Sequence, residues 1–157
     1  MKIHIVFVGK TDGDLFRKAI ADYAGRISHF IQCSVEELPD VRNTKSLTEK
    51  EQKEKEGEAV MRALQPGDHL VLLDERGEEM TSHEFADYID RKMMKVPKRL
   101  VFLIGGSYGF SPQIYQAAQG KISLSRMTFS HQMVRLFLVE QIYRAFTILR
   151  GLPYHHD

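Results

Sequence analysis

Cysteine is nearly absent from this chain of 157 residues, which has only Cys33. A single cysteine excludes an internal disulfide framework and a cysteine-rich metal site, and it indicates a reducing compartment. Long apolar runs are also missing, because none approaches the roughly 20 residues that a membrane span needs. The apolar stretch at residues 3–8 is too short for a secretory signal. We therefore expect a cytoplasmic protein with no membrane association.

Several common signatures of catalysis and nucleotide binding are missing as well. The glycine-rich segment at residues 105–109 lacks the GxGxxG spacing of a dinucleotide site and the Lys-Ser/Thr pair of a P-loop, so a phosphate cradle is not indicated. No GxSxG nucleophile elbow occurs, which leaves a Ser-His-Asp triad without support. The seven histidines show no ligand spacing with a second histidine or a cysteine, so we predict no metal site.

The net charge is only +1, but the two signs are unevenly distributed along the chain. Residues 1–90 carry 12 basic and 19 acidic side chains, whereas residues 91–157 carry 10 basic and 2 acidic ones. Basic regions attract polyanions such as RNA because they neutralise phosphates. The sequence has no Lys/Arg block and no glycine-rich tail, so any RNA contact is expected from a folded surface. The alternative is a dipolar globule with no nucleic-acid partner.

Apolar strands alternate with amphipathic helices along the sequence. This alternation predicts an α/β fold in which a mostly parallel sheet is flanked by helices, and the length fits a single domain over residues 1–157. We predict strands at residues 3–8, 33–38, 69–74, 100–104 and 121–125. We predict helices at residues 15–27, 46–64 and 131–150, and two more that begin after Thr81 and after Ser111. Ligands of such sheets bind beyond the carboxyl ends of the strands, which here are residues 73–74, 105–109 and 124–129.

The segment from Leu124 to His131 joins the last predicted strand to the last helix without proline or glycine. A loop this apolar is predicted to be packed and not free in solvent. The edge of a nucleoside could supply hydrogen-bond partners for its backbone groups. The alternative is that Met127 and Phe129 are ordinary core residues. The last helix is apolar on almost every face, which favours a second subunit as one of its covers. Among the histidines, His131 and His155 are the better candidates for proton transfer.

Short segments over the whole chain carry a resemblance to a known family. They are Val8-Gly9-Lys10, Lys55-Glu56-Gly57, Leu73-Asp74, Leu103-Ile104-Gly105-Gly106 with Gly109, Leu124-Ser125-x-Met127-Thr128-Phe129-x-His131, Arg135 with Glu140-Gln141-x-Tyr143-Arg144-Ala145, and Pro153-Tyr154-His155. In this order they resemble the small SPOUT-class methyltransferases of ribosomal RNA, and among these the RlmH (YbeA-like) family. One position departs from the family pattern: Ser130 stands where the family commonly has proline, which is expected to loosen the loop.

The resemblance implies a C-terminal trefoil knot, an obligate homodimer and S-adenosylmethionine as cofactor. The implied reaction is methylation of N3 of a pseudouridine in 23S ribosomal RNA within the assembled ribosome, without a metal. S-adenosylmethionine has no phosphate, which agrees with the missing phosphate motif. Carried over by position, the residues that contact the cofactor are Leu73, Gly105, Leu124, Ser125, Arg126, Met127, Thr128 and Phe129.

Methylation of an imide nitrogen requires a base that titrates near neutral pH, a role that suits histidine. Either His131 or His155 is expected to accept the proton, and Arg135 to stabilise negative charge on the carbonyl oxygens of the base. Tyr154 would stack on the target base or hydrogen-bond to it, and the tail that carries it is expected to enter the partner's site. We expect phosphate contacts from Lys92, Lys95, Lys98, Arg99, Lys121, Arg126 and Arg150.

Two other functions remain open from the sequence. The first is a non-catalytic module that binds the ribosome or assists its assembly. The second is methylation of transfer RNA, a substrate that related knotted folds use.

Overall fold

A five-stranded sheet with helices on both faces forms the protein. The computed structural model describes residues 1–157. The strand order is β2-β1-β4-β3-β5, and all neighbouring strands are parallel, which confirms the predicted α/β class. The elements in chain order are β1 (Lys2–Val8), α1 (Asp14–Ile27), β2 (Cys33–Leu38), α2 (Glu49–Ala63), β3 (His69–Glu79), α3 (Ser82–Lys95), β4 (Arg99–Ile104), α4 (Pro112–Ala117), β5 (Gly120–Ser123) and α5 (Met133–Leu149).

Apolar side chains of the central strands are buried on both faces of the sheet, which explains why these strands are mostly apolar instead of alternating with polar residues. One apolar cluster joins the sheet to α1, α3 and α5, with Ile20, Ile89 and Leu138 as their buried residues. The second cluster joins the opposite face to α2 and α4 through Val60 and Ile114. None of the helices combines the length and the apolar character that a membrane crossing demands.

Side-chain caps set the starts of two helices. The hydroxyl of Thr81 accepts from the amide of Glu84 at 3.2 Å, and the carboxylate of Glu84 accepts from the amide of Thr81 at 2.7 Å. This reciprocal pair is the capping box that the spacing predicts for α3. Helix α2 begins at Glu49, later than predicted, because Thr48 caps it by accepting from the amide of Glu51 at 3.1 Å.

Strand β3 continues beyond its predicted end and pairs with β5 a second time. Ile122 of β5 pairs with Leu73 and also with Glu78, with a shift of register between the two pairs. At the second contact the two backbones are so close that a Cβ on Gly77 would lie 2.6 Å from the Cα and N atoms of Ile122. The polar composition of residues 74–79 hid this second part of the strand from the hydrophobic pattern. The trefoil knot that the resemblance implies stays a prediction.

We expect Gly77→Ala to lower the free energy of unfolding by about 3 kcal/mol or more, because the backbone of Ile122 cannot move aside as a flexible side chain could. Urea unfolding followed by circular dichroism measures the change. The matched control is Gly25→Ala on α1, where nothing lies within 4 Å of an added Cβ. Alanine there is expected to stabilise the helix by about 0.5–1 kcal/mol. Equal stability of the two variants would rule out the close contact between Gly77 and Ile122.

Candidate functional site

A cavity of about 550 Å³ opens beyond the carboxyl ends of β3, β4 and β5. Parallel strands bring their carboxyl ends to one edge of a sheet, so segments distant in sequence become neighbours there. The three strand ends singled out from the sequence therefore meet at one place. The walls of the cavity come from residues 73–76, 104–110 and 122–131, apart from Arg126, with Tyr115 and Val134 beside them.

The segment after β4 is a tight turn that presents backbone to the cavity. The amide of Gly109 donates to the carbonyl of Gly106 at 3.2 Å, and Gly109 has a φ of 79°, which glycine adopts without strain. A Cβ on Gly105 would lie 2.9 Å from the ring of Phe110. Glycine at position 105 is thus needed for the close packing of Phe110, and glycine at position 109 for the sharp turn.

Three serine hydroxyls shape the loop between β5 and α5. Ser123 Oγ donates to the carbonyl of Ser125 at 2.9 Å, and Ser125 Oγ accepts from the amide of Met127 at 2.9 Å. Ser130 Oγ accepts from the amide of Met133 at 3.1 Å. Ser130, where the family commonly has proline, therefore ties the loop to the first residue of α5 by a bond that proline could not form.

Apolar side chains of this loop are only partly covered by the chain itself. Met127 is 77% exposed, so the interpretation of Met127 as a core residue is wrong. The ring of Phe129 packs against the ring of Phe137 on α5, with centroids 4.9 Å apart, and Phe137 is itself exposed. A single chain thus leaves an apolar surface uncovered beside the cavity.

Most of the residues predicted to contact the cofactor line this cavity together with His131. The exception is Arg126, whose side chain is 88% exposed and lies 3.6 Å from Glu79. Those that line it are Leu73, Gly105, Leu124, Ser125, Met127, Thr128 and Phe129.

Arg135 is fully buried on α5, where its guanidinium binds the end of β1. It donates to the carbonyls of Val8 at 2.9 Å and Gly9 at 3.0 Å, and to the hydroxyl of Thr11 at 3.0 Å. Burial lowers the pKa of Arg135, and the charge of Glu37 at 4.0 Å acts in the opposite direction. The guanidinium is thus occupied by acceptors of its own chain and holds the segment after β1 against α5.

The C-terminal tail folds back on its own chain. Tyr154 Oη donates to the carboxylate of Glu140 at 3.0 Å and lies 3.1 Å from the hydroxyl of Tyr23. Arg144, which pairs with Glu140 one helical turn before it, also donates to Nδ1 of His155 at 3.1 Å. The tail residues with predicted catalytic roles therefore lie outside the cavity walls of their own chain.

Asp157 joins two histidines at the end of this tail. Its Oδ1 lies 3.0 Å from Nε2 of His155 and 2.8 Å from Nε2 of His83 on α3, an approach that the sequence spacing did not predict. The three ligand-type atoms lie within 4.8 Å of one another. Because Arg144 can only donate to Nδ1, we assign the ring proton of neutral His155 to Nε2. Both ring nitrogens of His155 are therefore engaged.

Tyr115 and Asp74 form a hydrogen bond at the rim of the cavity that the sequence analysis missed. Tyr115 Oη donates to the carboxylate of Asp74, which also accepts from the amide of Arg76 at 2.8 Å. Burial, followed by this bond, raises the pKa of Tyr115 to about 12. Burial opposes ionisation of Asp74, but the two hydrogen bonds outweigh it and lower its pKa. No spacing signal connects a tyrosine of α4 with the end of a distant strand.

Several of the predicted phosphate-binding residues lie at the amino ends of the strands, opposite the cavity. Lys92 and Lys95 belong to the last turn of α3, just before β4. Lys121 of β5 instead lies near the rim of the cavity, with its Nζ 5.8 Å from the ring centroid of Tyr115. Arg99, at the start of β4, forms two hydrogen bonds with Asp68, at 2.8 and 2.5 Å. This pairing occupies the guanidinium of Arg99 and removes it from the predicted phosphate contacts.

The protein combines a parallel sheet with a cavity that lies between a glycine turn and an apolar loop. The family model described as "Predicted SPOUT methyltransferase" matches residues 1–155. A solved structure, "a probable methylase family protein from Haemophilus influenzae Rd KW20", has a similar fold, with a TM-score of 0.53 and 12% identity over 95% of this chain and 66% of that one. The chain belongs to the SPOUT methyltransferase family.

Relatives of the same length narrow the comparison. Proteins from Parabacteroides distasonis and Bacteroides thetaiotaomicron are 58% and 59% identical to this chain over 157 residues, and each pair is covered completely. A protein from Flavobacterium johnsoniae is 53% identical over the same length. All three are named "Ribosomal RNA large subunit methyltransferase H". The family resemblance carried by the sequence motifs is thereby confirmed.

We expect Arg135→Lys to lower the free energy of unfolding by about 2–4 kcal/mol, because one ammonium cannot serve the four acceptors that the planar guanidinium reaches. Urea unfolding measures the loss. The control is Arg17→Lys on α1, where the side chain is half exposed and the change is expected to stay within about 0.5 kcal/mol. A loss no larger than that of the control would show that the guanidinium does not hold the segment after β1.

Proposed function

We propose that the chain transfers a methyl group from S-adenosylmethionine to N3 of a pseudouridine in 23S ribosomal RNA, on assembled ribosomes in the cytoplasm. Family membership supports methyl transfer, and the names of the relatives support ribosomal RNA of the large subunit as substrate. The observation that carries the proposal is the cavity in which the glycine turn and the loop at residues 122–131 face each other. The choice of the pseudouridine nitrogen rests on the family resemblance.

The cavity suits S-adenosylmethionine in size and chemistry. Pockets for small organic molecules commonly measure about 300–1,000 Å³, and this one measures about 550 Å³. Its glycine turn has no phosphate motif, which is compatible with a cofactor that carries no phosphate. When bound, the cofactor supplies a methyl group that its sulfonium already activates. We assign apolar packing to Leu73, Leu124 and Met127, and backbone contacts to Gly105, Ser125, Arg126, Thr128 and Phe129.

We assign His131 as the acceptor of the N3 proton. Its exposed side chain lines the cavity, whereas both nitrogens of His155 are engaged elsewhere. Loss of the proton would leave N3 with the lone pair that methyl transfer requires, and the bound donor would supply the methyl group from its sulfonium. Arg135 is a positioning residue in this scheme, because its Nε donates to the carbonyl of His131 at 3.2 Å while the rest of its guanidinium holds the end of β1.

A second copy of the chain would bring the tail to the cavity. Met127 and Phe137 expose apolar side chains beside the cavity, and burial of such side chains favours association. We therefore include a homodimer in the proposal, in which Tyr154 of one protomer contacts the target base in the cavity of its partner. For this, Tyr154 exchanges its contacts with Glu140 and Tyr23 for contacts in the partner's site.

We expect calorimetric titration with S-adenosylmethionine to saturate, and His131→Asn to keep this binding. Single-turnover methylation of ribosomes that lack the modification is expected to slow by about 10²–10⁴-fold in this variant, because the base is lost. His29→Asn, an exposed histidine just after α1, is the control and keeps the wild-type rate. A wild-type chain that gives no binding heat would instead fit a non-catalytic ribosome-binding module.

Mixing two inactive variants tests whether the tail acts across the dimer. One variant is His131→Ala, and the other is a chain that ends at Pro153 and so lacks Tyr154 and His155. Each homodimer is expected to be inactive. After unfolding and refolding together, mixed dimers contain one intact cavity that receives one intact tail, so methylation should return to roughly a quarter of the wild-type level. Mixtures that stay inactive would indicate that the tail serves its own chain.

A further inference from the structure

Helix α2 places a carboxylate directly behind the glycine turn of the cavity. Glu56 is only 8% exposed, and its two oxygens lie 2.9 and 3.0 Å from the position that a Cβ on Gly106 would occupy. Gly57, the next residue, packs so closely that its Cβ would lie 2.6 Å from Ser111 Oγ. Because Gly106 lines the cavity and Glu56 does not, the backbone of one residue separates the carboxylate from the ligand space.

This carboxylate has no cationic partner in the structure. The hydrogen bond that it accepts from a side chain comes from the neutral amide of Gln52, at 3.1 Å. Burial raises the pKa of Glu56, the charge of Asp40 beyond β2 adds to the rise, and His131 before α5 opposes it. A buried acid without a counter-charge costs free energy, and groups of this kind are concentrated at functional sites.

Packing alone does not require a charge at this position. A glutamine at position 56 would keep the shape of the side chain and could still accept the hydrogen bond from Gln52. An ionised carboxylate adds only an electrostatic field, which acts across Gly106 into the cavity. A field of this sign favours a cation there.

We propose that Glu56 is the buried counter-charge for the sulfonium of the methyl donor, so that the cavity binds the cationic donor in preference to the demethylated product. The inference rests on the proposed function, because it takes S-adenosylmethionine as the ligand. Donor and product share the adenosine, ammonium and carboxylate groups. They differ in the methyl group and in the positive charge on sulfur, which disappears on transfer, so a buried negative charge selects between them.

Carboxylates at the rim of the cavity are less suited to this role. Asp74 already accepts from Tyr115 and from the amide of Arg76, and Glu75 is exposed. Water screens exposed charges, whereas a pair of charges in partly buried surroundings is screened much less. Glu56 is therefore the carboxylate whose field reaches the ligand with the least loss.

The test compares donor and product in calorimetric titrations of the wild-type chain and of Glu56→Gln. We expect the variant to bind S-adenosylmethionine about tenfold more weakly, the size expected for opposite charges roughly 10 Å apart. Binding of S-adenosylhomocysteine should change by less than about twofold, because its sulfur is neutral. Glu58→Gln, an exposed residue of the same helix with the same change of charge, is the matched control and should leave both affinities unchanged.

Urea unfolding checks that Glu56→Gln folds, and its midpoint should equal or exceed that of the wild type near neutral pH. The sign follows from the raised pKa, since ionisation of this acid is less favourable in the folded chain than in the unfolded one. If Glu56→Gln weakened the binding of donor and product equally, the role of Glu56 would be purely structural. If the affinity for the donor did not change, Glu56 would have no role in binding. Either result overturns the inference. A wild-type chain that binds neither ligand would refute the proposed function itself, and the inference with it.

Discussion

Contact between the backbones of β3 and β5 determines where two of the three walls of the cavity lie. Ile122 pairs with Leu73 and, after a shift of register, with Glu78, so the short strand β5 is fixed at two places along β3. The loop that follows β5 is thereby directed towards the glycine turn after β4 instead of leaving the sheet at a free edge. The cavity depends on this double pairing, because two of its three walls begin at Leu73 and Ile122.

Sequence patterns were informative where one physical requirement dominated. The run of apolar residues at 100–104 predicted a central strand, and the spacing of Thr81 and Glu84 predicted a helix start, because burial and capping are local requirements. The second half of β3 was missed because its polar residues pair with β5 by backbone bonds, which leave no hydrophobic period. The motif containing Glu56 was noticed, but its place behind Gly106 depends on how α2 packs, which no spacing encodes.

Two charged side chains are buried near the cavity, and the free-energy cost of burying them is offset in different ways. Arg135 is surrounded by acceptors of its own chain, so the folded state satisfies its charge and gains a rigid connection between β1 and α5. Glu56 lies in comparable burial with a neutral amide as its hydrogen-bond donor. The first charge serves the fold, and sequence reasoning had placed it at the reacting base. The second charge has no counter-charge in its own chain, and the sulfonium of the bound donor supplies one from the cavity.

The pairing of β3 with β5 affects the order in which the strands can assemble during synthesis. During synthesis on the ribosome, β3 emerges first, and about 40 residues separate its end from the start of β5. At elongation rates of about 5–20 residues per second, the polar half of β3 waits for roughly 2–8 s before its partner strand exists. β5 is therefore expected to join a sheet whose other four strands have already formed.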